Sequence, residues 1–364
     1  MKELTKIVIT GGPCAGKSTA MSRIQSEFSA KGYTVLFVPE TATELITGGV
    51  APWTCRTNGE YQKLQMRLQL EKERIFERAA AGMKDERILI VCDRGLLDNR
   101  AYMNEEEMAD VLFELGLSEG ELIMEYDAVF HLVSAAKGAS EFYTTENNAA
   151  RRESREEAAL LDDRIAAAWE KHPCRYLIDN SRDFEEKMRT LTESIAEFLD
   201  GPQHARAYKK LLIEYPNTAF LDTLPGVRRF EILQTYLNCP EGEERRVRVR
   251  RDGEQYSYLL TTQRTVNGRS KIKLEERITK REYARLLQDA DKTKNTLCKT
   301  RYSFTYRDQY MEIDIYPDHS DLAVLVVDLI AGTELALPEW VTPIRDVTDD
   351  EEYKNVNLAK RDEE

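Results

Sequence analysis

The chain has 364 residues, more than one ordinary hydrophobic core accommodates and about right for two domains. Its 52 Lys+Arg stand against 65 Asp+Glu, a formal charge of −13, which argues against the broad basic surface of sequence-independent nucleic-acid binding. A hydrophobic fraction of 41% and a charged fraction of 32% fit a globular chain, and no apolar run approaches the roughly 18 residues of a membrane-spanning helix.

The N-terminus, MKELTKIVIT, runs straight into a strand-like segment without a small-residue cleavage site, so no signal peptide is expected. The first two hundred residues alternate short apolar runs with helical patterns. KIVIT at 6–10, VLFVP at 35–39, ILIVC at 88–92, AVFHLV at 128–133 and RYLI at 175–178 are continuous and rich in Val, Ile and Leu, which suits strands covered on both faces. Glu60 to Ala81 and Phe184 to Leu199 read as helices between them, so a doubly wound parallel sheet is expected over 1–203. DGPQHA, around 200–205, combines a turn signal with loss of helical pattern and sets the boundary. From 204 to 359 the pattern predicts an α+β domain of antiparallel strands, with turns at Asp252-Gly253 and Asn267-Gly268 and helices at Leu224 to Leu237 and Lys280 to Asp289. Residues 360–364 are expected to fray. Six scattered cysteines (Cys14, Cys55, Cys92, Cys174, Cys239, Cys298) contain no CxxC pair and read as reduced thiols, and the expected location is cytoplasmic.

Gly11-Gly12-Pro13-Cys14-Ala15-Gly16-Lys17-Ser18 fits G-x-x-x-x-G-K-[ST], with Thr19 following, between a predicted strand and a predicted helix. Glycines let backbone N–H groups curl around phosphate, Lys17 brings a cation to the terminal phosphates, and Ser18 offers a hydroxyl to Mg²⁺. ATP or GTP with Mg²⁺ is therefore the expected ligand. Asp93 ends the strand ILIVC and is either the metal carboxylate (or base) of such a site or the N-cap of the next helix. Glu40, at the end of VLFVP, and Arg94 sit where an open α/β sheet binds ligands. Glu40 meets the phosphate acceptor, serves as base, or is a surface acid. Arg151, Arg152 and Arg155 either close over the triphosphate as a lid or form an exposed salt-bridged face. Asn180 and Asp183 have the N-x-x-D spacing of a guanine reader, and a turn followed by a helix cap explains them equally.

GGPCAGKST, VPETATEL, VCDRG, the Arg151-Arg152-Glu153 stretch and LIDNSRDFEEK resemble the small-molecule-kinase-like branch of P-loop proteins, filed among AAA-type ATPases and close to ribosylnicotinamide kinase. VRVRR, KLEERITKREYARLL, KTRY, EIDIY and LAVLVVDL resemble the CYTH or triphosphate-tunnel fold of thiamine triphosphatases and class IV adenylyl cyclases. That resemblance implies a tunnel lined by alternate strand positions: Arg246, Arg248 and Arg250; Lys271, Lys273 and Glu275; Lys299 and Arg301; Glu312 and Asp314. The fold's opening E-x-E-x-K motif appears as Arg206-Ala207-Tyr208-Lys209-Lys210, keeping the Lys but losing both glutamates, and the paired acids of a later strand are reduced to Val326 and Asp328. Glu275, Glu312, Asp314 and Asp328 then remain as a thinner metal set, better suited to binding an anion than to hydrolysing it.

The tandem order resembles the TRPL-translocation-defect family, which implies GTP and phosphoinositide binding. The expected function is that of a Mg-dependent P-loop NTPase or kinase-like phosphotransferase whose tunnel holds a phosphorylated small molecule or lipid headgroup. The rivals are a nucleotide-gated switch with little turnover and a tunnel-domain triphosphatase or cyclase.

Overall fold

Five short runs rich in Val, Ile and Leu lie side by side as a parallel sheet: β1 (Glu3–Thr10), β2 (Thr34–Val38), β3 (Arg87–Asp93), β4 (Ala128–Leu132) and β5 (Arg175–Ile178), in the order β2-β3-β1-β4-β5. The computed structural model describes residues 3–137, 154–201, 206–266, 270–319, 322–330 and 333–361. Ile7, Val8 and Ile9 of β1, Ile88 to Val91 of β3, and Val129 and Phe130 of β4 are all fully buried, which is why these strands read as unbroken apolar runs. The connecting helices are α1 (Lys17–Ala30), α2 (Thr41–Thr47), α3 (Asn58–Gly82), α4 (Glu105–Leu115), α5 (Glu119–Ile123), α6 (Arg155–Ala168) and α7 (Phe184–Asp200). Thr57 caps α3, Ser154 and Glu157 form a capping box on α6, and Asp183 caps α7.

The chain divides into two compact units. One joins Lys2–Leu115 to Leu122–His204; the other joins Ala205–Glu364 to the short segment Gly116–Glu121. The second unit is a nine-stranded antiparallel sheet of β6 (Arg206–Ile213), β7 (Arg228–Leu237), β8 (Glu243–Asp252), β9 (Gln255–Val266), β10 (Ser270–Ile278), β11 (Leu297–Tyr306), β12 (Gln309–Tyr316), β13 (Leu322–Ile330) and β14 (Pro343–Asp346), ordered β10-β9-β8-β7-β11-β12-β13-β6-β14. The Asp252-Gly253 turn forms where expected: Asp252 pairs with Gln255, and Gly253 supplies the positive φ of 57°. The Asn267-Gly268 turn lies outside the described residues.

The helix expected over Leu224 to Leu237 is not formed; β7 occupies most of it. Its apolar residues fit a helical stripe, but here Phe230, Ile232 and Gln234 are buried while Arg229, Glu231 and Leu233 are exposed, the period of a strand. Ladders to β8 and β11 on both sides fix that choice. The other predicted helix stands, as Lys280–Leu286 followed by a 3₁₀ turn, with Thr279 and Glu282 as its capping box.

One face of this sheet is a hydrophobic core, with Leu211, Ile213, Tyr302, Phe304, Met311, Ile313, Leu325 and Val327 buried together. Register then sends the intervening positions to the other face. Arg301 pairs with Asp314, Ser303 with Glu312, Val326 with Lys210, Gln234 with Arg248 and Ile232 with Arg250. Among the described residues, no helix is long and apolar enough to cross a membrane.

Candidate functional site

The loop from Gly11 to Gly16 links β1 to α1, and its glycines answer to close packing. A Cβ on Gly11, whose φ is 140°, would lie 2.0 Å from the Leu132 carbonyl oxygen; one on Gly12 would lie 2.8 Å from the Asp162 Cβ. The loop is tied from behind. Gly12 N–H donates to Asp162 Oδ1 at 2.7 Å, Ser134 Oγ donates to the Pro13 carbonyl, and Ala135 N–H donates to the Cys14 carbonyl at 3.3 Å. Lys187, 5% exposed, donates to the carbonyls of Ala15 (3.1 Å) and Val133 (2.6 Å) and to Asn180 Oδ1 (2.7 Å). Asp162 also accepts from Ser134 N–H, faces His131 Nε2 at 3.1 Å and pairs with Lys137; although burial opposes its charge, these partners hold its carboxyl at about 2. These contacts fasten the phosphate loop from behind.

Lys17 Nζ folds back onto the Gly11 and Gly12 carbonyls at 3.0 and 3.2 Å. Burial and then the nearby Arg94 guanidinium bring its ammonium down to about 8, so an arriving anion relieves an unfavourable charge. Ser18 follows in the first turn of α1, a 14-residue helix whose N-terminal N–H groups face the loop's end.

Asp93 pairs in register with Ile9 on the neighbouring strand, one residue before β1 ends at the loop. Its Oδ1 is buried without a hydrogen-bond partner, and burial outweighs the attraction of Lys17 to raise its pKa. It does not cap the following 3₁₀ turn, whose N-cap position is Gly95. An orphaned carboxylate oxygen beside a phosphate loop fits a hard cation such as Mg²⁺.

Arg94 adopts a left-handed φ of 71°, unusual for a non-glycine. Its Nε donates to Glu40 Oε1 at 2.5 Å, and its Nη1 reaches the Gly11 carbonyl and Asp98 Oδ2, both at 3.3 Å. Asp98, 2% exposed, also accepts from Thr10 Oγ1 at 2.5 Å and Trp169 Nε1 at 2.6 Å. Although burial opposes its ionisation, Arg94 and Lys17 hold the Glu40 carboxyl at about 2, so Glu40 anchors Arg94 and is a poor general base near neutrality. Because the folded value lies below the ordinary 4.5, this pair stabilises the fold above about pH 4.5 and stops doing so as pH falls towards about 2. Thermal melts of the wild type and Glu40→Gln should therefore differ at about pH 6, draw together as pH falls below about 4.5 and converge only below about pH 2. A constant gap across that range would show that the pair carries no such linkage.

Arg155 opens α6 and donates from Nε to the Ala136 carbonyl at 3.2 Å; Arg151 and Arg152 lie outside the described residues. Asp183 accepts from Glu186 N–H as the α7 cap, and Asn180 bridges the Ser134 and Lys137 carbonyls to Lys187, so both are engaged in the turn-and-cap arrangement. Sequence reasoning missed Asp98, Asp162, His131 and Lys187.

The charged face of the second sheet holds most of its expected residues in ion pairs. Asp314, 2% exposed, takes Lys299 at 2.6 Å and Arg301 through two contacts at 2.7 and 2.8 Å. Arg301 also reaches Glu312 at 2.5 Å. Arg248 pairs with Glu275, Arg246 with Glu244, and Lys210 donates to the Tyr353 carbonyl. Burial and the neighbouring Arg301 lower Lys299 to about 7 despite Asp314, whose own carboxyl is held below the usual range by Arg301 and Lys299 against its burial. Burial also lowers Arg248, and the Arg246, Arg301 and Arg250 cations add to that effect. Among the described residues, the Nε atoms of Arg246, Arg248 and Arg250 are buried without hydrogen-bond partners. Lys271 and Lys273 occupy alternate register positions with Glu275, and their side chains are outside the described residues. Register puts Asp328, paired with Tyr310, on this same face. The expected metal set of Glu275, Glu312, Asp314 and Asp328 is not gathered: among the described residues no group of three or more His, Cys, Asp or Glu is arranged to hold a metal. Basic side chains take up three of the four acids.

Residues 6–187, half of the chain, match the family model described as an AAA domain. Among solved structures, the chain is similar to one titled the hypothetical protein NE1496 (26% identity over 43% of this chain and 97% of that one, TM-score 0.30) and one titled the inorganic triphosphatase NE1496 (24%, 43%, 94% and 0.30). It is also similar to the PH1819 protein from Pyrococcus horikoshii OT3 (16% identity over 35% of this chain and 80% of that one, TM-score 0.27). No curated protein matches the chain.

Proposed function

The chain belongs to the AAA-domain family, and from that premise we propose that its first unit binds a nucleoside triphosphate with Mg²⁺ and hydrolyses or transfers the terminal phosphoryl group. Backbone N–H groups of the loop and of the α1 N-terminus receive the phosphates. Lys17 leaves the Gly11 and Gly12 carbonyls to neutralise the terminal phosphates. Ser18 and Asp93 would hold Mg²⁺, which supplies charge compensation where the bridging oxygen departs. Arg94 stays locked to Glu40 and Asp98 and fixes the loop's first carbonyl. Arg151, Arg152 and Arg155 complete the charge as a lid in this reading.

The observation that carries it is the buried, unpartnered Asp93 oxygen on the strand next to the phosphate loop. Asp93→Asn should leave nucleotide affinity within a few-fold of wild type while lowering Mg²⁺-dependent phosphate release by on the order of a hundredfold or more. A phosphate-release assay beside a binding titration checks this. Equal release by mutant and wild type would remove Asp93 from the metal site.

For the second unit we propose binding of a multiply phosphorylated anion without efficient hydrolysis. Convergent Arg246, Arg248, Arg301 and Lys210 supply charge-assisted donors. Three of the four acids that would hold a catalytic metal, Glu275, Glu312 and Asp314, are taken up by cations, and Tyr208 and Val326 stand where further carboxylates would be needed.

A further inference from the structure

Arg246, Arg248 and Arg250 occupy alternate positions of β8 on the charged face, yet their partners differ in origin. Arg246 and Arg248 pair with Glu244 and Glu275, both from the sheet itself. Arg250 pairs with Glu121, from the Gly116–Glu121 segment that belongs to the same compact unit. Its Nη1 meets Glu121 Oε1 at 2.5 Å and its Nη2 meets Oε2 at 3.2 Å, while its guanidinium lies 3.4 Å from the Phe230 ring centroid. Glu121 Oε2 accepts in addition from Ser118 N–H at 2.7 Å and Oγ at 3.0 Å. The segment is fastened elsewhere too. Arg228 donates to the Leu117 carbonyl, and Gly120 packs so tightly on Tyr310 that a Cβ would fall 2.2 Å from the ring.

The two-pronged contact of Arg250 with Glu121 is the geometry in which a guanidinium also takes two oxygens of a phosphate group. The side chains of Arg250 and Glu121 are only 11% and 22% exposed, so the pair is partly desolvated and the carboxylate competes strongly for that fork. Arg250 Nε remains buried without a partner, one donor more than the carboxylate uses. We propose that Arg250 is a masked anion subsite, with Glu121 standing where a phosphate group of the bound anion would sit. A ligand engages Arg248 and Arg301 first and gains Arg250 only when Glu121 swings out. This rests on the proposed anion binding by the charged face and adds an internal competitor to it.

Glu121→Gln tests it, since the amide can still accept from Ser118 but no longer carries the competing charge. Calorimetric titration of the full chain with inorganic tripolyphosphate, without metal, should show affinity rising about tenfold. In an Arg250→Gln background the same substitution should bring no gain, because the gain acts through Arg250. Circular dichroism melts confirm that each variant is folded. If Arg250→Gln does not fold, Glu121→Asp replaces it as the second variant: its shorter carboxylate should give an intermediate gain. Unchanged affinity in Glu121→Gln, with wild type binding and Arg248→Glu not, overturns the masked subsite alone. An equal gain in the Arg250→Gln background, or no gain in Glu121→Asp, overturns it as well. No binding by wild type or by Glu121→Gln overturns the anion-binding reading beneath it.

Discussion

Replacing Lys17 with alanine should weaken nucleoside triphosphate binding by on the order of a hundredfold and abolish turnover. The loop needs no help from Lys17 to keep its shape, because Asp162, Ser134 and Lys187 hold Gly12, Pro13 and Ala15. Loss of the ammonium therefore removes ligand contact without unfolding the cradle. Its only hydrogen bonds are to the Gly11 and Gly12 carbonyls, among the described residues, and a partly buried cation lowered to about 8 is poised to exchange them for phosphate. The effect should be larger on turnover than on affinity, since charge on the terminal phosphoryl group grows towards the transition state. Titration and single-turnover phosphate release on the same preparation measure both. A mutant with wild-type affinity for ATP and for GTP would remove the phosphate-loop assignment.

The second large effect is expected at Arg248. Arg248→Glu should reduce tripolyphosphate binding by the charged face at least about a hundredfold. The substitution removes a buried guanidinium flanked by Arg246, Arg250 and Arg301 and sets a carboxylate against Glu275. Like charges in a partly desolvated site repel the anion and each other. Because that could also loosen the sheet, Arg248→Gln serves beside it, and it should still cost about tenfold. Running the titration with inorganic tripolyphosphate and with vesicles carrying phosphoinositide separates a free polyphosphate from a lipid headgroup. Unaltered binding in both variants would place the anion elsewhere.

The parallel sheet was legible because its central strands β1, β3 and β4 are covered on both faces, and the apolar runs match β1 to β5 within a residue or a few. The phosphate loop was legible because motif, strand and helix are contiguous. The alternation of Arg246, Arg248 and Arg250 with Val247 and Val249 likewise gave the charged face, since period 2 fixes sides in a strand. β7 was misread because FEILQTYL satisfies helical and strand spacing alike, and only its neighbours β8 and β11 decide between them. The contacts that shape the site were invisible for another reason. Asp162 and Lys187 reach the loop from 150 and 172 residues away, and Glu121 reaches Arg250 from 129. Glu40 follows β2 at the N-cap position of α2, and its ion pair with Arg94, 54 residues further on, is not written in the local pattern.

In the proposed function, Lys17, Ser18 and Asp93 build one Mg²⁺-nucleotide site. Calorimetric titration of the full chain with ATP and with GTP, each with and without Mg²⁺, tests it most directly. The expected result is one site per chain for at least one of the two nucleotides, tighter with Mg²⁺ in wild type, with the Mg²⁺ dependence lost in Asp93→Asn. Absence of binding by either nucleotide, or a Mg²⁺ dependence that Asp93→Asn leaves intact, would contradict it.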